Sequence, residues 1–597
     1  MYKFNEPVSE LIWNIKYRCK DKDKIIDNTI EDTWQRIAKT AALAEPIKQR
    51  KYWQNKFYDI LTDFQFLPGG RIIAGAGVHR KVTLFNCFVM KLAQDSLPAI
   101  FDALKEGALT LQQGGGVGYD FSILRPRGEI AELSGTIASG PVSFMRIWDS
   151  MSAIMQSTGA RRGAMMANLR CDHPDIEEFI TTKSDPTQLR HFNLSVIVTD
   201  EFMQAVKYND NWQLVFPIAG KINKGEKIIY RRWSGHRELI PCRLIRSVNA
   251  RELWQKIMRS SYDFAEPGII FEDTINRFNP LWYREWISAT NPCGEIPLPN
   301  YGACNLGSIN LTQFVLNNYT KSSQINWTAL ENVTEIAIRF LDNIITVSKY
   351  PLKMQQKEAL ATRRIGLGFT GLGDALVMLG HRYGSNASLK LTDNIAKTIC
   401  ETSWNLSIEL AKEKEIFPLY SKKDYLRGEF VKSLSPSIQK NIARYGIRNS
   451  HHNAIAPAGT ISLLANNITN GIEPIFSGEY ERNIRLADGE IKKISVMDYA
   501  LRVWRAQKQD ELFPPNWVDA LTLLPDDHLR IQSIVQKYID NAISKTINIP
   551  ENFPFAKLQK VYTKAFRLGL KGCTVFRPNP VTGNVLEIKE VDPCCSV

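Results

Sequence analysis

No stretch of this chain approaches the roughly 18–20 consecutive apolar residues that a membrane-spanning helix requires. The most apolar candidates, such as residues 71–77, are short and glycine-rich. The opening residues Met1-Tyr2-Lys3-Phe4-Asn5-Glu6-Pro7 lack the basic-then-apolar pattern of a secretory leader. These absences predict a soluble, cytoplasmic protein with no membrane partner. Cysteine is sparse, with 10 in 597 residues and no C-x-x-C pair, so neither a disulfide scaffold nor a standard zinc ribbon is encoded. No fixed-period repeat is visible. Acidic residues are outnumbered, 62 against 75 Lys and Arg, for a net charge of +13. That balance suits nucleotides, nucleic acid or anionic surfaces without choosing among them. The densest basic stretch, residues 221–246, carries Lys221, Lys224, Lys227, Arg231, Arg232, Arg237, Arg243 and Arg246 against Glu226 and Glu238. No nucleic-acid motif accompanies it, so it reads as a solvated lobe, with no direct nucleic-acid contact expected.

What is present is ordinary globular material. Hydrophobic content of 44% and charged content of 23% exclude a disordered or fibrous chain. The length suits about four domains or one large core with attached pieces. Asn28-Thr29-Ile30-Glu31 reads as a helix capping box, after which Trp34, Ile37, Ala38 and Ala41 share one face. Residues 192–199, 212–218 and 268–271 are strand candidates. Val333, Ile336, Phe340, Leu341, Ile344 and Ile345 mark an amphipathic helix, and Ile395, Ile399, Leu406 and Leu410 another. Interleaved helices and strands predict an α/β core.

Three glycine-rich runs stand out. Gly366-Leu367-Gly368-Phe369-Thr370-Gly371 fits G-x-G-x-x-G, but residues 360–364 upstream do not read as a buried strand and no βαβ unit surrounds Asp393. A nicotinamide site is therefore disfavoured against glycines that permit close packing at a helix start. Residues 112–119, with Gly114, Gly115, Gly116 and Gly118, and residues 456–462, with Gly459, Thr460 and Ser462, could each offer backbone N–H groups to an anion or be plain loops.

Asn291-Pro292-Cys293-Gly294-Glu295 places an amide, a thiol and a carboxylate at alternate positions. In an extended loop these would face one ligand together. Cys304 follows eleven residues later, Cys87 sits far upstream in Leu84-Phe85-Asn86-Cys87, and Cys594-Cys595 lies in the last four residues. Any one of these cysteines could be buried apolar filler, but their polar, glycine-rich settings argue for reactive thiols.

Together with Glu6-Pro7-Val8-Ser9-Glu10, Phe66-Leu67-Pro68-Gly69-Gly70-Arg71, Arg363-Arg364-Ile365-Gly366-Leu367-Gly368 and Gly572-Cys573-Thr574-Val575-Phe576-Arg577-Pro578, these motifs make the chain resemble the adenosylcobalamin-dependent (class II) ribonucleoside-diphosphate reductases over nearly its whole length. The resemblance implies a ten-stranded α/β barrel of two five-stranded halves with a central finger loop (residues 71–576). A helical segment would precede it (1–70) and a mobile redox-shuttle tail follow it (577–597). It implies that Cys293 carries a thiyl radical, that Glu295 is the general base, and that Asn291 orients the ribose. Cys87 and Cys304 would be the redox-active pair, recharged by the Cys594–Cys595 dithiol and an external thioredoxin or glutaredoxin. Asn86, Gly116, Pro457, Ala458, Gly459, Thr460, Ile461 and Ser462 would hold the substrate diphosphate. Many relatives carry threonine where this chain has Ala458.

Asp95, Ser96, Arg125, Arg161 and Arg162 would bind a deoxynucleoside triphosphate effector, with Mg, at a homodimer interface. The expected cofactor is adenosylcobalamin, with no protein-bound metal. Residues 569–576 lack the two adjacent tyrosines of class I catalytic subunits, and no glycyl-radical motif or N-terminal ATP-cone pattern is found. The D-x-H-x-x-G motif of many cobalamin-binding domains is also absent. His451-His452 offers no metal-ligand spacing to a carboxylate. The alternatives are a class I-like catalytic subunit needing a separate radical-generating subunit, and a non-catalytic nucleotide- or nucleic-acid-binding protein.

Overall fold

The N-terminal helices begin where side chains can satisfy their free N–H groups. Thr29 caps the helix Ile30–Ala42, its hydroxyl accepting from Asp32 N at 3.3 Å while the Asp32 carboxylate accepts from Thr29 N at 2.9 Å. The capping box is thus Thr29 with Asp32, one residue later than the expected Asn28 with Glu31. Trp34, Ile37, Ala38 and Ala41 are buried, where this helix and Arg50–Leu61 pack on the helix Trp327–Val347. The computed structural model describes residues 4–21, 24–92, 94–130, 135, 137–155, 164–218, 220, 222, 225–485, 491–508, 511–578 and 586–588.

The core is a mixed sheet closed on itself. Its strands are β1 (Cys87–Val89), β2 (Gly116–Asp120), β3 (Met165–Arg170), β4 (Phe192–Val198), β5 (Gly268–Phe271), β6 (Ala303–Asn310), β7 (Ile365–Thr370), β8 (Thr546–Asn548) and β9 (Gly572–Phe576). Strands β1 to β5 pair in parallel, in chain order. The other half is parallel as well: β6 with β7 and β8 with β9. Between β7 and β8 lies an extended segment, residues 453–455, which bridges Leu367 on one side and Ile543 on the other. It supplies the tenth stave. The two halves meet antiparallel at two seams, β5 with β9 and β6 with β1. Helices cover the outside, as parallel strands buried on both faces require. The strand Phe66–Pro68 adds to β6 outside the closed path.

The G-x-G-x-x-G run lies inside this barrel. Gly366 and Gly368 belong to β7 and not to a helix start. A Cβ on Gly368 would sit 2.2 Å from the Ala454 carbonyl oxygen, so the glycine lets stave 453–455 close against β7. Only Gly371 begins a helix, Leu372–Met378.

The basic stretch forms part of a three-stranded antiparallel sheet of Asn211–Pro217, Ile228–Arg232 and Leu239–Asn249. Three of its five arginines are matched by carboxylates: Arg231 with Glu201 at 3.2 Å, Arg246 with Glu177 at 2.5 Å, and Arg243 with Glu129 and Glu226. Lys221 and Lys224 lie outside the described residues. No helix among the described residues is long and apolar enough to cross a membrane.

Candidate active site

Residues 290–297 leave the path between β5 and β6 and run into the barrel. Asn291 N donates to Ile296 O at 3.2 Å, Gly294 N to Asn291 O at 3.0 Å, and Leu298 N to Ala289 O at 3.1 Å. The segment is therefore a closed turn, not the extended loop expected from alternation. Closure brings the first and last side chains together: Asn291 Nδ2 donates to Glu295 Oε2 at 2.8 Å. Cys293 stands exposed at the tip. The turn is fixed from both walls. Asn193 of β4 donates its Nδ2 to Pro292 O at 2.8 Å, and Ala542 N donates to Glu295 O at 2.9 Å. Its stem lies on β2 at Gly118, where a Cβ would fall 1.8 Å from the Thr290 carbonyl oxygen.

Beneath the turn is the seam of β1 and β6. Cys87 and Cys304 are register partners there, both buried and both free thiols. Directly opposed antiparallel residues have Cα atoms about 4.5–5.5 Å apart. That is within the range a disulfide spans without backbone movement. Cys87 Sγ accepts from Asn291 Nδ2 at 3.1 Å and approaches Glu295 Oε1 at 3.7 Å. Thiol, amide and carboxyl thus form one contact triangle. Burial pushes the Cys87 thiol well up, reinforced by the neighbouring Glu295, and burial pushes Cys304 up as well. Burial also raises Glu295 above the usual carboxylate range, against the hydrogen bond from Asn291, which lowers it.

A cavity of about 130 Å³ opens over these groups. Asn86, Cys87, Gly116, Asn291, Cys293, Glu295, Pro457, Ala458, Gly459, Thr460 and Ile461 all line it, so most of the expected site residues converge. Asn86 Oδ1 is buried with no hydrogen-bond partner. Ala458 holds a left-handed φ of +52° before the short helix Gly459–Leu464, a conformation that costs a non-glycine residue about 1–2 kcal/mol. Two expected residues lie off the cavity wall. Cys304 sits behind Cys87. Ser462 is fully buried, and its hydroxyl shares a 3.0 Å hydrogen bond with the Thr370 hydroxyl, because one helical turn carries it away from the loop. Arg71, Tyr17 and Ser308, for which the sequence predicts no role, also line the cavity. For Arg71 a signal existed, the Pro68-Gly69-Gly70-Arg71 motif.

A second cavity, of about 660 Å³, shares Pro457 with the first. Phe476, Tyr480, Ile549, Val575 and Phe576 give it a largely apolar wall, and Asn467, Arg482, Glu473 and Asp498 are among its polar groups. The expected effector residues lie elsewhere. Asp95 and Arg125 form an ion pair, and Arg125 Nη2 also donates to Asp95 O at 3.1 Å. Ser96 caps the helix Leu97–Gln112 through Ala99 N at 3.4 Å. Arg161, Arg162, Cys594 and Cys595 lie outside the described residues. His451 hydrogen-bonds Asn279 at 3.1 Å and His452 faces Asp540 at 3.3 Å. Burial lowers both histidines. No cluster of three or more metal-ligating side chains occurs among the described residues.

Comparison with known proteins agrees with this fold. Residues 85–576 match the family described as ribonucleotide reductase, barrel domain, and residues 3–81 that described as ribonucleotide reductase, all-alpha domain. The chain is 35% identical to a vitamin B12-dependent ribonucleoside-diphosphate reductase of Mycobacterium tuberculosis (strain H37Rv), over 97% of this chain and 78% of that one. It is 32% identical to one of Thermoplasma acidophilum, over 97% and 71%. It is 26% identical to a ribonucleoside-diphosphate reductase subunit alpha of Chlamydia muridarum, over 92% and 57%.

Proposed function

From the chain's place in the ribonucleotide reductase family, to which it belongs, we propose that it reduces ribonucleoside diphosphates to 2′-deoxyribonucleotides, with adenosylcobalamin as cofactor. One observation carries the reading: Cys87 faces Cys304 across a seam, under a turn that presents Cys293, in a cavity shared with Asn291 and Glu295.

Each group has work suited to its setting. Cys293, exposed at the tip, takes the 3′ hydrogen of the ribose as a thiyl radical and later returns it. Glu295 accepts the 3′-hydroxyl proton, and Asn291 holds the carboxylate that does so. Cys87 and Cys304 must act as hydrogen donors, so a raised thiol pKa is an advantage: both stay protonated at neutral pH. The 2′ C–O bond breaks and the hydroxyl leaves as water. Two thiols supply two electrons and two hydrogens, and an S–S bond forms between them. Thiol exchange with Cys594 and Cys595, recharged by a thioredoxin or glutaredoxin, restores the pair. The strand Leu586–Ile588 pairs with residues 480–482, and the six positions from there to Cys594 would span at most roughly 20 Å at ~3.3 Å each.

Adenosylcobalamin, when bound, supplies the radical equivalent that side chains cannot generate. The largely apolar second cavity, joined to the first through the shared wall residue Pro457, would receive part of so large a cofactor. Phe476, Tyr480, Ile549 and Phe576 would pack on it, with Asn467 and Arg482 for its polar edge. The 457–461 loop would hold the substrate phosphates through N–H groups and Thr460. Asp95, Ser96 and Arg125, with Arg161 and Arg162, would bind a deoxynucleoside triphosphate effector with Mg. Effector phosphates would compete with Asp95 for Arg125. A homodimer is supported by the apolar residues that adjoining helices leave exposed, Leu97 and Phe101 on Leu97–Gln112 and Ile154 on Pro141–Ile154. The division into residues 1–70, 71–576 and 577–597 belongs to the same reading.

The test is anaerobic turnover of a ribonucleoside diphosphate with dithiothreitol. Deoxynucleotide should form only with adenosylcobalamin, and Cys293→Ala should abolish it. Product that instead required an added metal-radical subunit would overturn the cofactor assignment.

A further inference from the structure

The substrate cavity has an uneven charge inventory. Among the described residues that line it, two carry ionisable charge, Glu295 and Arg71. The 457–461 loop offers N–H groups and the Thr460 hydroxyl, which form hydrogen bonds but bring no net charge. Placing a diphosphate beside a buried carboxyl with no counter-charge would be costly. Arg71 is the one cation on that wall.

Its placement is built into the backbone. Arg71 lies in the first turn of the helix Gly70–Gly75. A Cβ on Gly114 would fall 2.6 Å from Arg71 Nη1, 2.8 Å from Cζ and 3.1 Å from Nε. The guanidinium therefore lies flat against Gly114, whose φ of +98° is itself a glycine conformation. The 112–119 glycine run does two jobs: Gly118 admits the finger turn, and Gly114 seats a cation at the same cavity. A guanidinium already fixed in place loses little rotamer freedom on binding, and its fork suits phosphate oxygens.

We propose that Arg71 is the charge partner of the substrate's phosphates and thereby sets the ribose over Cys293. The inference rests on the substrate reading above and adds a residue to it.

The test separates phosphate recognition from mere packing. Dissociation constants for CDP and for cytidine are measured on the full chain, without cofactor, by ligand-observed NMR, which reads millimolar affinities. Arg71→Gln should weaken CDP roughly 10- to 100-fold, the span of one or two charge-assisted hydrogen bonds, and leave cytidine unchanged. Arg71→Lys should fall between. Gly114→Ala, which displaces the guanidinium while keeping Arg71, should reproduce the loss, and it reads the same ratio if Arg71→Gln does not fold. Inorganic pyrophosphate should compete with CDP on the unaltered chain and not on Arg71→Gln. Equal loss of CDP and cytidine, or undiminished CDP binding, would overturn the proposal. The outcome is separable from the reductase reading. A chain that prefers CDP through Arg71 yet yields no deoxynucleotide sinks that reading alone. An active reductase whose ratio is unmoved in Arg71→Gln sinks this one alone.

Discussion

Glu295 illustrates how burial and one hydrogen bond tune a single residue. It is 2% exposed, and burial raises its pKa while Asn291 and Cys87 pull it down. The deprotonated form is the one that takes a proton from substrate, so activity should fall as pH drops through a value above the ordinary carboxylate range. Asn291→Ala removes a lowering influence and should move that acid limb to higher pH, besides reducing kcat. A pH profile of kcat on both forms checks it, and an unmoved limb would exclude Glu295 as the base. At this scale the sequence was most legible. The five-residue spacing in Asn291-Pro292-Cys293-Gly294-Glu295 and the step to Cys304 marked residues that the structure brings together. The manner of convergence was not legible, since a turn and an extended loop share the same spacing, and only the bonds to Asn193 and Ala542 decide between them. Ser462 shows the converse, a hydroxyl in the right motif but turned to Thr370.

Among the elements, the finger turn depends on what β2 lacks. With Thr290 O where a Gly118 side chain would stand, Gly118→Ala must push the turn off its seat. The expected result is a chain of near-native secondary structure whose kcat falls at least about 100-fold, the penalty a displacement near 1 Å can bring. Its thermal midpoint should fall as well. Circular dichroism together with the turnover assay reads both, and full activity would show that the turn does not rest on β2. Strands with strong apolar runs, such as Gly268–Phe271, could be read from residues alone. The stave 453–455 could not. Asn453-Ala454-Ile455 has no periodicity to detect, and its role comes entirely from its neighbours β7 and β8. The capping box slipped by one for a similar reason: Asn28, Thr29, Glu31 and Asp32 all suit a helix start, and only geometry selects Thr29 with Asp32.

At the level of the whole molecule, the proposed redox pair would also be a structural joint. The α/β class was legible from interleaved elements, but the pairing of Cys87 with Cys304 was implied only by the family resemblance, since 216 residues lie between them and it is the closed barrel that puts them in register. Oxidation would join the two five-stranded halves covalently. Closing a loop of that length is worth up to about 5 kcal/mol by chain entropy. The oxidised chain should therefore unfold at higher urea than the reduced one, and the difference should vanish in Cys304→Ser. Equal midpoints for the two redox states would mean that the cysteines do not pair.

The strand Leu586–Ile588 carries a further consequence. Its ladder with residues 480–482 anchors the chain six positions before Cys594. If Cys594 and Cys595 recharge the pair as proposed, so near an anchor would hold them at an effective concentration on the order of millimolar, set by geometry and independent of how much protein is present. Regeneration inside the barrel would then be a first-order event, and only the later hand-off to a freely diffusing reductant would be sensitive to supply.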